Sequence, residues 1–278
     1  MPTRVSPAKL NLFLEVTGRR SDGYHDIVSV FVEIDLADTL HAEPDPDGTT
    51  TLQCDDPRVP TGSDNLILRA ANLLRDECGG AGGIRFRLEK RIPMGGGLGG
   101  GSSNAAAALR LANELWRTGL SDGELAELGA RIGSDVPFFL RGGTCLCEGR
   151  GERVTPLAPF PARIPLGLAL CGIHSDTAAA YRGLVLPDPD GCRRPDAFIA
   201  AMERADVDAM ADAAFNRFEP TVFAAIPALR NIHGKLEQTL HRPVRMSGSG
   251  SGLWFFGAVP DGAADKVPDT AIIPASAR

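Results

Sequence analysis

Pro93-Met94-Gly95-Gly96-Gly97-Leu98-Gly99-Gly100-Gly101-Ser102-Ser103-Asn104 runs directly into the alanine-rich stretch Ala105 to Trp116. Upstream, Ile84, Phe86 and Leu88 alternate with Arg85, Arg87 and Glu89, a period-2 pattern that predicts a strand. Ala105 to Trp116 predicts a strong helix, with Gly119 just past its end. A glycine run leading from a strand into a helix N-terminus is an anion site. Without Cβ atoms the backbone N–H groups can converge on a phosphate, and the helix dipole adds positive potential.

The run is not a dinucleotide fingerprint of the usual kind. Gly95-x-Gly97-x-x-Gly100 matches formally, but no second strand ending in an acidic residue follows to hold a ribose. It is not a Walker loop either, because Gly101 stands where a lysine is required. The backbone must therefore hold the phosphate, with the Ser102 and Ser103 hydroxyls available for phosphate oxygens, for Mg²⁺, or for capping the following helix.

Outward from this run the chain reads as mixed α/β. Leu10, Leu12, Leu14 and Val16 alternate with Lys9, Asn11, Phe13 and Glu15, predicting a strand with Lys9 and Asn11 on one face. Gly18 to Gly23 reads as a turn, and Val28 to Leu36 as a second alternating strand. Asn65 to Arg75 predicts a helix with Ser63 or Asp64 as N-cap, and Ser121-x-x-Glu124 is a capping box opening another that stops near Gly133. Thr144 to Cys147 predicts a short strand. Four prolines between about residues 153 and 165 mark an irregular domain junction, followed by helices near 196–216 and 227–240 and a strand near 253–258. A second glycine run, Ser247 to Gly252, precedes that strand.

Composition narrows the class. The 278 residues suffice for one large or two ordinary domains, and 43% hydrophobic with 23% charged residues is the profile of a globular chain. A net charge of −6 with no basic block argues against nucleic acid as partner, and no apolar run is long enough for a membrane span. The six cysteines form no C-x-x-C pair and the N-terminus has no apolar leader, which predicts a cytoplasmic protein with reduced thiols. Of 29 basic residues only four are lysines (Lys9, Lys90, Lys235, Lys266), so a lysine in an unusual context stands out.

Phosphoryl transfer also needs a proton acceptor and positive charge. Asp135, between Gly133-Ser134 and the apolar Val136-Pro137-Phe138-Phe139, is a candidate base or a helix cap; Lys9 is a candidate cation or an ordinary strand lysine. His41, His174, His233 and His241 show no ligand spacing and receive no role.

The motif Pro93-x-Gly95-x-Gly97-Leu98-Gly99-x-x-Ser102-Ser103 resembles the phosphate loop of the GHMP kinases (galactose, homoserine, mevalonate and phosphomevalonate kinases). Pro7-Ala8-Lys9-Leu10-Asn11-Leu12, Asp22-Gly23-Tyr24-His25 and Asp135 to Phe139 narrow the resemblance to members that act on a cytidine-diphosphate-linked methylerythritol in the non-mevalonate (MEP) route to isoprenoids. The resemblance implies a two-domain α/β GHMP kinase fold with an ATP-binding N-terminal domain (1–155), a C-terminal domain (156–278) and the active site between them. It implies transfer of phosphate from ATP with Mg²⁺ to a 2-hydroxyl, with Lys9 and Asp135 as catalytic pair. Pro93, Met94, Gly95, Gly96, Gly97, Leu98, Gly99, Gly100, Gly101, Ser102 and Ser103 then match the ATP loop, and Ser247 to Gly252 the segment packed against it. Asn11, Tyr24, His25, Thr177 and Tyr181 match substrate-binding positions, Tyr24 and Tyr181 being the chain's two tyrosines. Asn216, Phe218 and Glu219 match a structural segment. Another GHMP kinase would explain the loop but not Gly23-Tyr24-His25. A nucleic-acid-binding α/β module is opposed by the acidic balance, and a dinucleotide-dependent oxidoreductase by the missing ribose acid.

Overall fold

The fold is described from a computed structural model covering residues 1–278, the side chain of Pro189 excepted. In chain order the elements begin with β1 (Thr3–Arg19), β2 (His25–Asp45), β3 (Thr51–Cys54), α1 (Leu66–Cys78) and β4 (Gly83–Glu89). After the glycine loop come α2 (Gly100–Trp116), α3 (Asp122–Ile132), α4 (Val136–Arg141), β5 (Thr144–Gly149), β6 (Arg153–Pro156), β7 (Leu166–Leu170) and α5 (Thr177–Arg182). The chain ends with α6 (Asp196–Glu203), α7 (Val207–Ala213), β8 (Phe215–Asn216), α8 (Glu219–Ala225), α9 (Pro227–Leu240), β9 (Arg245–Met246), β10 (Leu253–Phe256), α10 (Ala263–Lys266) and β11 (Ala271–Ala275). The class is mixed α/β, as the sequence predicts.

Packing divides the chain into two compact units that are each discontinuous in sequence. One comprises Met1–Ala8, Leu36–Ile92 and Gly99–Gly142; the other Lys9–Asp35, Pro93–Leu98 and Gly143–Arg278. In the first unit β3 runs parallel to β4, and β4 pairs antiparallel with Thr39 to Asp45 of β2. Helix α2 packs on α1, α3 and α4, and the small side chains Ala105 to Ala108 are all buried, which lets the helix backbones approach closely.

Three local expectations shift in this unit. Helix α2 starts at Gly100, five residues earlier than predicted, behind a left-handed Gly99 with no side-chain cap. Tertiary burial of the alanine face outweighs the poor helix propensity of Gly100 and Gly101. Ser102 and Ser103 therefore lie inside the first turn and are not N-caps. Asn65, one or two residues past the predicted caps, accepts from Ile67 N at 2.9 Å and starts α1. The αL residue ending α2 is Arg117, before Gly119. The Ser121–Glu124 capping box is present as read, and α3 stops at Gly133.

The second unit contains two sheets. In one, β1 lies between β2 and β8, and Ile27 to Val32 of β2 pair antiparallel with β5, which pairs in turn with β6. In the other, β11, β7, β10 and β9 follow one another, all antiparallel. Strand β6 occupies part of the proline-rich region predicted to be irregular. Pro156 is tolerated because it ends a strand paired on one side only, so its missing N–H breaks no interior ladder. The helical run near 196–216 resolves into α6, α7 and the short β8, because Ala205 adopts φ 52° and Asp206 caps a new helix through Ala209 N. Helix α9 spans 227–240 as predicted and buries Leu229, Leu236 and Leu240 against Val244, Met246, Leu253 and Phe255.

Leu236 is fully buried in that cluster. Leu236→Ala should destabilise the protein by about 2–5 kcal/mol, the transfer and cavity cost of such a truncation. A denaturant midpoint indistinguishable from the wild type would place Leu236 outside the core.

Candidate active site

The glycine loop is gripped from one side. Four consecutive carbonyls are each taken by a donor: Gly95 O by Ser251 N (3.1 Å), Gly96 O by Gly252 N (3.0 Å), Gly97 O by the Ser247 hydroxyl (3.0 Å) and Leu98 O by Lys9 N (3.0 Å). In a trans peptide the N–H points opposite to the C=O of the same unit. Each of the N–H groups of Gly96, Gly97, Leu98 and Gly99 therefore points away from the donor that holds the carbonyl of its own peptide unit. Gly97 is at φ 69°, and a Cβ on it would overlap the Ser247 carbonyl. The part of the loop from Pro93 to Leu98 and the second glycine run are thus brought together within one unit.

Lys9 lies on the strand that supplies one of those donors. It is only 4% exposed, so the ordinary exposed strand lysine is excluded. Both faces of β1 are covered here: Asn11, Phe13 and Glu15 are as buried as the leucines between them. The Lys9 ammonium donates to Asn11 Oδ1 at 2.5 Å and sits 4.7 Å from the Phe31 ring centroid. Asn11 is fixed in turn. Its Nδ2 donates to Ser29 Oγ (2.9 Å), which donates to Phe13 O (2.5 Å), and its backbone N–H donates to Ser247 Oγ (3.3 Å). One serine hydroxyl therefore ties the Lys9 strand to the glycine loop.

The first unit holds the remaining loop residues and Asp135. Ser103 is buried with its hydroxyl donating to Ser6 Oγ at 3.3 Å, whereas Ser102 is half-buried. The Ser102 hydroxyl stands 3.6 Å from where a Cβ on Gly133 would be, beside the turn leading to Asp135. Asp135 occupies the N-cap position of α4 but makes no capping bond with its side chain, so the capping reading of this aspartate fails.

In the second unit, the turn between β1 and β2 forms Tyr24 and His25 into a defined tip. Gly23 takes φ 85°, Arg20 N donates to Tyr24 O (2.8 Å), and Asp22 accepts from Tyr24 N (3.1 Å), which holds its carboxyl below the usual range. Tyr24 is 53% exposed, with the Arg150 guanidinium 5.0 Å from its ring centroid. His25 stacks on Tyr181 at 4.8 Å and 26°, and Tyr181 stands edge-on to Phe218. Desolvation, then the nearby Arg19, pushes the His25 pKa down, which keeps the ring neutral at neutral pH. Thr177, at the start of α5, shares a 2.8 Å hydrogen bond with Ser249 Oγ.

The segment that the resemblance marks as structural supports the site, and so do residues that sequence reading missed. Asn216 donates to Met246 O (2.6 Å) and Gly248 O (2.8 Å), and Glu219 accepts from Met246 N (2.8 Å), so this segment shapes the second glycine run. The His174 ring fills the space where a Cβ on Gly95 would stand, although ligand spacing gave it no role. Buried Glu15 receives Arg217 in a two-pronged pair at 2.6 Å. The contacts of His174 and of the Glu15–Arg217 pair have no signal in a single sequence, because each depends on a partner tens to hundreds of residues away.

Residues 65–143, which contain the loop and Asp135, match the model of the GHMP kinases N-terminal domain. A 4-diphosphocytidyl-2-C-methyl-D-erythritol kinase from Synechococcus sp. (strain JA-3-3Ab) is 42% identical over 266 residues, covering 92% of this chain and 84% of the relative. The chain belongs to the 4-diphosphocytidyl-2-C-methyl-D-erythritol kinase family of the GHMP kinases. A crystal structure of 4-(cytidine 5'-diphospho)-2C-methyl-D-erythritol kinase agrees, with a TM-score of 0.78 at 34% identity over 99% of both chains. A homoserine kinase from Cytophaga hutchinsonii, 16% identical, shares the fold at a TM-score of 0.76 over 99% of this chain and 94% of that one. The GHMP kinase fold predicted from the sequence is therefore the fold of this chain.

A family loop held this tightly leaves no room at Gly97. Gly97→Val should abolish ATP binding in calorimetric titration, through both the positive φ and the collision with Ser247. Unchanged ATP affinity in a folded variant would show that the loop does not cradle phosphate.

Proposed function

We propose that the chain is an ATP-dependent kinase that phosphorylates the 2-hydroxyl of 4-diphosphocytidyl-2-C-methyl-D-erythritol, a step of the MEP route to isoprenoid precursors. Membership of a family whose relatives carry that name supports the acceptor. The observation that carries the chemistry is the four-carbonyl grip on Gly95 to Leu98, which turns backbone donors toward an anion.

ATP lies with its phosphates on Pro93 to Ser103. Asp135 accepts the proton of the 2-hydroxyl as the oxygen attacks the γ-phosphorus, and ADP leaves with the β–γ bridging electrons. Lys9 stabilises the negative charge that develops on the attacking oxygen and the transferred group. Its compact ammonium is oriented for this by Asn11. The half-buried Ser102 hydroxyl would be the protein oxygen available to a Mg²⁺ ion accompanying ATP, whereas Ser103 is engaged with Ser6. Bound Mg²⁺ neutralises phosphate charge in the transition state. Asn11, Tyr24, His25, Thr177 and Tyr181 serve the acceptor. A neutral His25 offers one ring donor and one acceptor, the pattern needed to read the edge of cytosine. Residues 1–155 and 156–278 carry the family's N- and C-terminal regions. Among the described residues no helix is long and apolar enough to cross a membrane, and dependence on ATP is compatible with the cytoplasmic location expected from the sequence.

The reading is tested by following ADP formation with the cytidine-linked acceptor against homoserine and mevalonate. Turnover with another alcohol and not with the cytidine-linked one would overturn it. Asp135→Asn should lower kcat by ~10²–10⁴-fold, the usual cost of losing a general base, with ATP binding retained. Lys9→Ala should behave alike, and Lys9→Arg should rescue poorly because a planar fork does not replace an ammonium in a buried slot. A rate within about threefold of the wild type would remove either residue from the chemistry.

Tyr24→Ala should raise the acceptor KM by about 5- to 150-fold, the worth of roughly 1–3 kcal/mol of base stacking, and leave the ATP KM unchanged. Tyr181→Ala should do the same and also lower Tm, since Tyr181 packs on Phe218. A lowered Tm with a normal acceptor KM would make Tyr181 a packing residue only.

A further inference from the structure

We propose that Asp38 is a positioning residue for the phosphate loop: one buried carboxylate pins the chain immediately before and immediately after the glycine run. This rests on the reading of Pro93 to Ser103 as the ATP loop and goes beyond it, since Asp38 lies 55 residues upstream of Pro93 and carries no motif.

Asp38 is fully buried. Its Oδ1 accepts from Arg91 N (2.7 Å) and Ile92 N (2.8 Å), the two residues that enter the loop. Its Oδ2 accepts from Lys90 Nζ (2.8 Å) and from Asn104 Nδ2 (3.1 Å), the latter on the first turns of α2, just past the loop. Four donors match the roughly four lone-pair sites of an ionised carboxylate, so the group is saturated. The Lys90 ammonium also donates to Ile92 O, closing a ring around the loop entry. All these residues belong to the same compact unit.

Two features show that this arrangement is specific to a carboxylate. The Asn104 amide gives its NH₂ to Asp38 while its own Oδ1 is buried without a hydrogen-bond partner. A buried acceptor is left unsatisfied only when something stronger fixes the amide, and here the charge-assisted bond to Asp38 does so. Lys90 is also one of only four lysines, and its ammonium lies 3.4 Å from where a Cβ on Gly100 would stand, at the start of α2. A bare cation there would oppose the positive end of the helix dipole, and Asp38 offsets it. The carboxylate thus sets the distance between the two ends of a run whose central stretch, Gly95 to Gly101, has only the Leu98 side chain to hold its shape.

An asparagine at position 38 keeps the volume but must turn its NH₂ either toward Lys90 and Asn104 or toward the Arg91 and Ile92 N–H groups, donor against donor in both orientations. Asp38→Asn should weaken ATP binding by roughly 10- to 100-fold, the scale of loss when reacting groups are displaced by about an ångström. The ATP KM should rise accordingly while the acceptor KM stays within about twofold, because only the donor's loop has moved. Asn104→Ala, which keeps the carboxylate and the loop entry but releases α2, should give a smaller loss of about 3- to 10-fold and fold in any case, since alanine favours a helix.

The test is calorimetric titration of each full-length variant with ATP, with Tm measured in the absence of nucleotide and KM for both substrates. A lowered Tm with ATP affinity within about twofold of the wild type in both variants would make Asp38 an ordinary core residue and overturn the proposal. So would equal increases in both KM values. If Asp38→Asn fails to fold, the ATP affinity of Asn104→Ala decides. Should the wild type bind ATP but not phosphorylate the cytidine-linked acceptor, the functional reading falls and the titrations still decide the role of Asp38.

Discussion

The four carbonyls of Gly95 to Leu98 each meet a donor, and the site depends on that grip. A six-glycine loop in water has no preferred shape, and fixing it costs more conformational entropy per residue than any other sequence would. Here the cost is met by hydrogen bonds from two segments: the second glycine run, through two backbone N–H groups and the Ser247 hydroxyl, and the backbone of Lys9. Because peptide units are planar and trans, anchoring the carbonyls also aims the N–H groups. The loop backbone is thus set without a ligand, and preorganised dipoles of this kind are what the proposed phosphate cradle requires.

The same contacts place the cation. Leu98 O is held by the backbone N–H of Lys9, and the Lys9 ammonium is oriented by Asn11, whose own N–H is held by the serine that binds Gly97 O. A movement of the loop therefore moves the strand bearing the ammonium. The lysine is buried and paired by hydrogen bonding, so its charge is neither screened nor free to swing, which suits a group acting on a transient charge. Behind the second run, Asn216 and Glu219 fix Met246 and Gly248. The grip is itself supported from a helix and strand far along the chain.

Much of the fold was legible because it is written in local periodicities. The strand pattern of Leu10 to Val16, the capping box at Ser121 and Glu124 and the amphipathic stretch of 227–240 are each local signals, and each appears where it was read. Local reading failed where packing outweighed propensity. Glycines 100 and 101 joined α2 because the alanine face behind them is buried, and Pro156 entered β6 because an edge strand spares its missing N–H. Lys9 gave the most instructive shortfall. Alternation distinguishes the two faces of a strand but not whether both are covered, so a lysine at the bottom of a site and one in water share the same pattern.

The sequence by itself determined the class, the glycine loop and the family, because the glycine run and the Gly23-Tyr24-His25 turn are marked by residue type and order alone. It also offered Ser102 and Ser103 as equals. Only the tertiary structure separated them, by giving Ser103 a partner in Ser6, 97 residues away, and leaving Ser102 half-buried beside Gly133. It alone excluded side-chain capping by Asp135, set Tyr181 against His25 and drew Asp38 to both ends of the loop. The reason is common to all of these. A residue type fixes what a side chain can do, but a hydrogen bond or a stacked ring needs a second group within a few ångströms, and that distance is set by the fold and not by spacing along the chain.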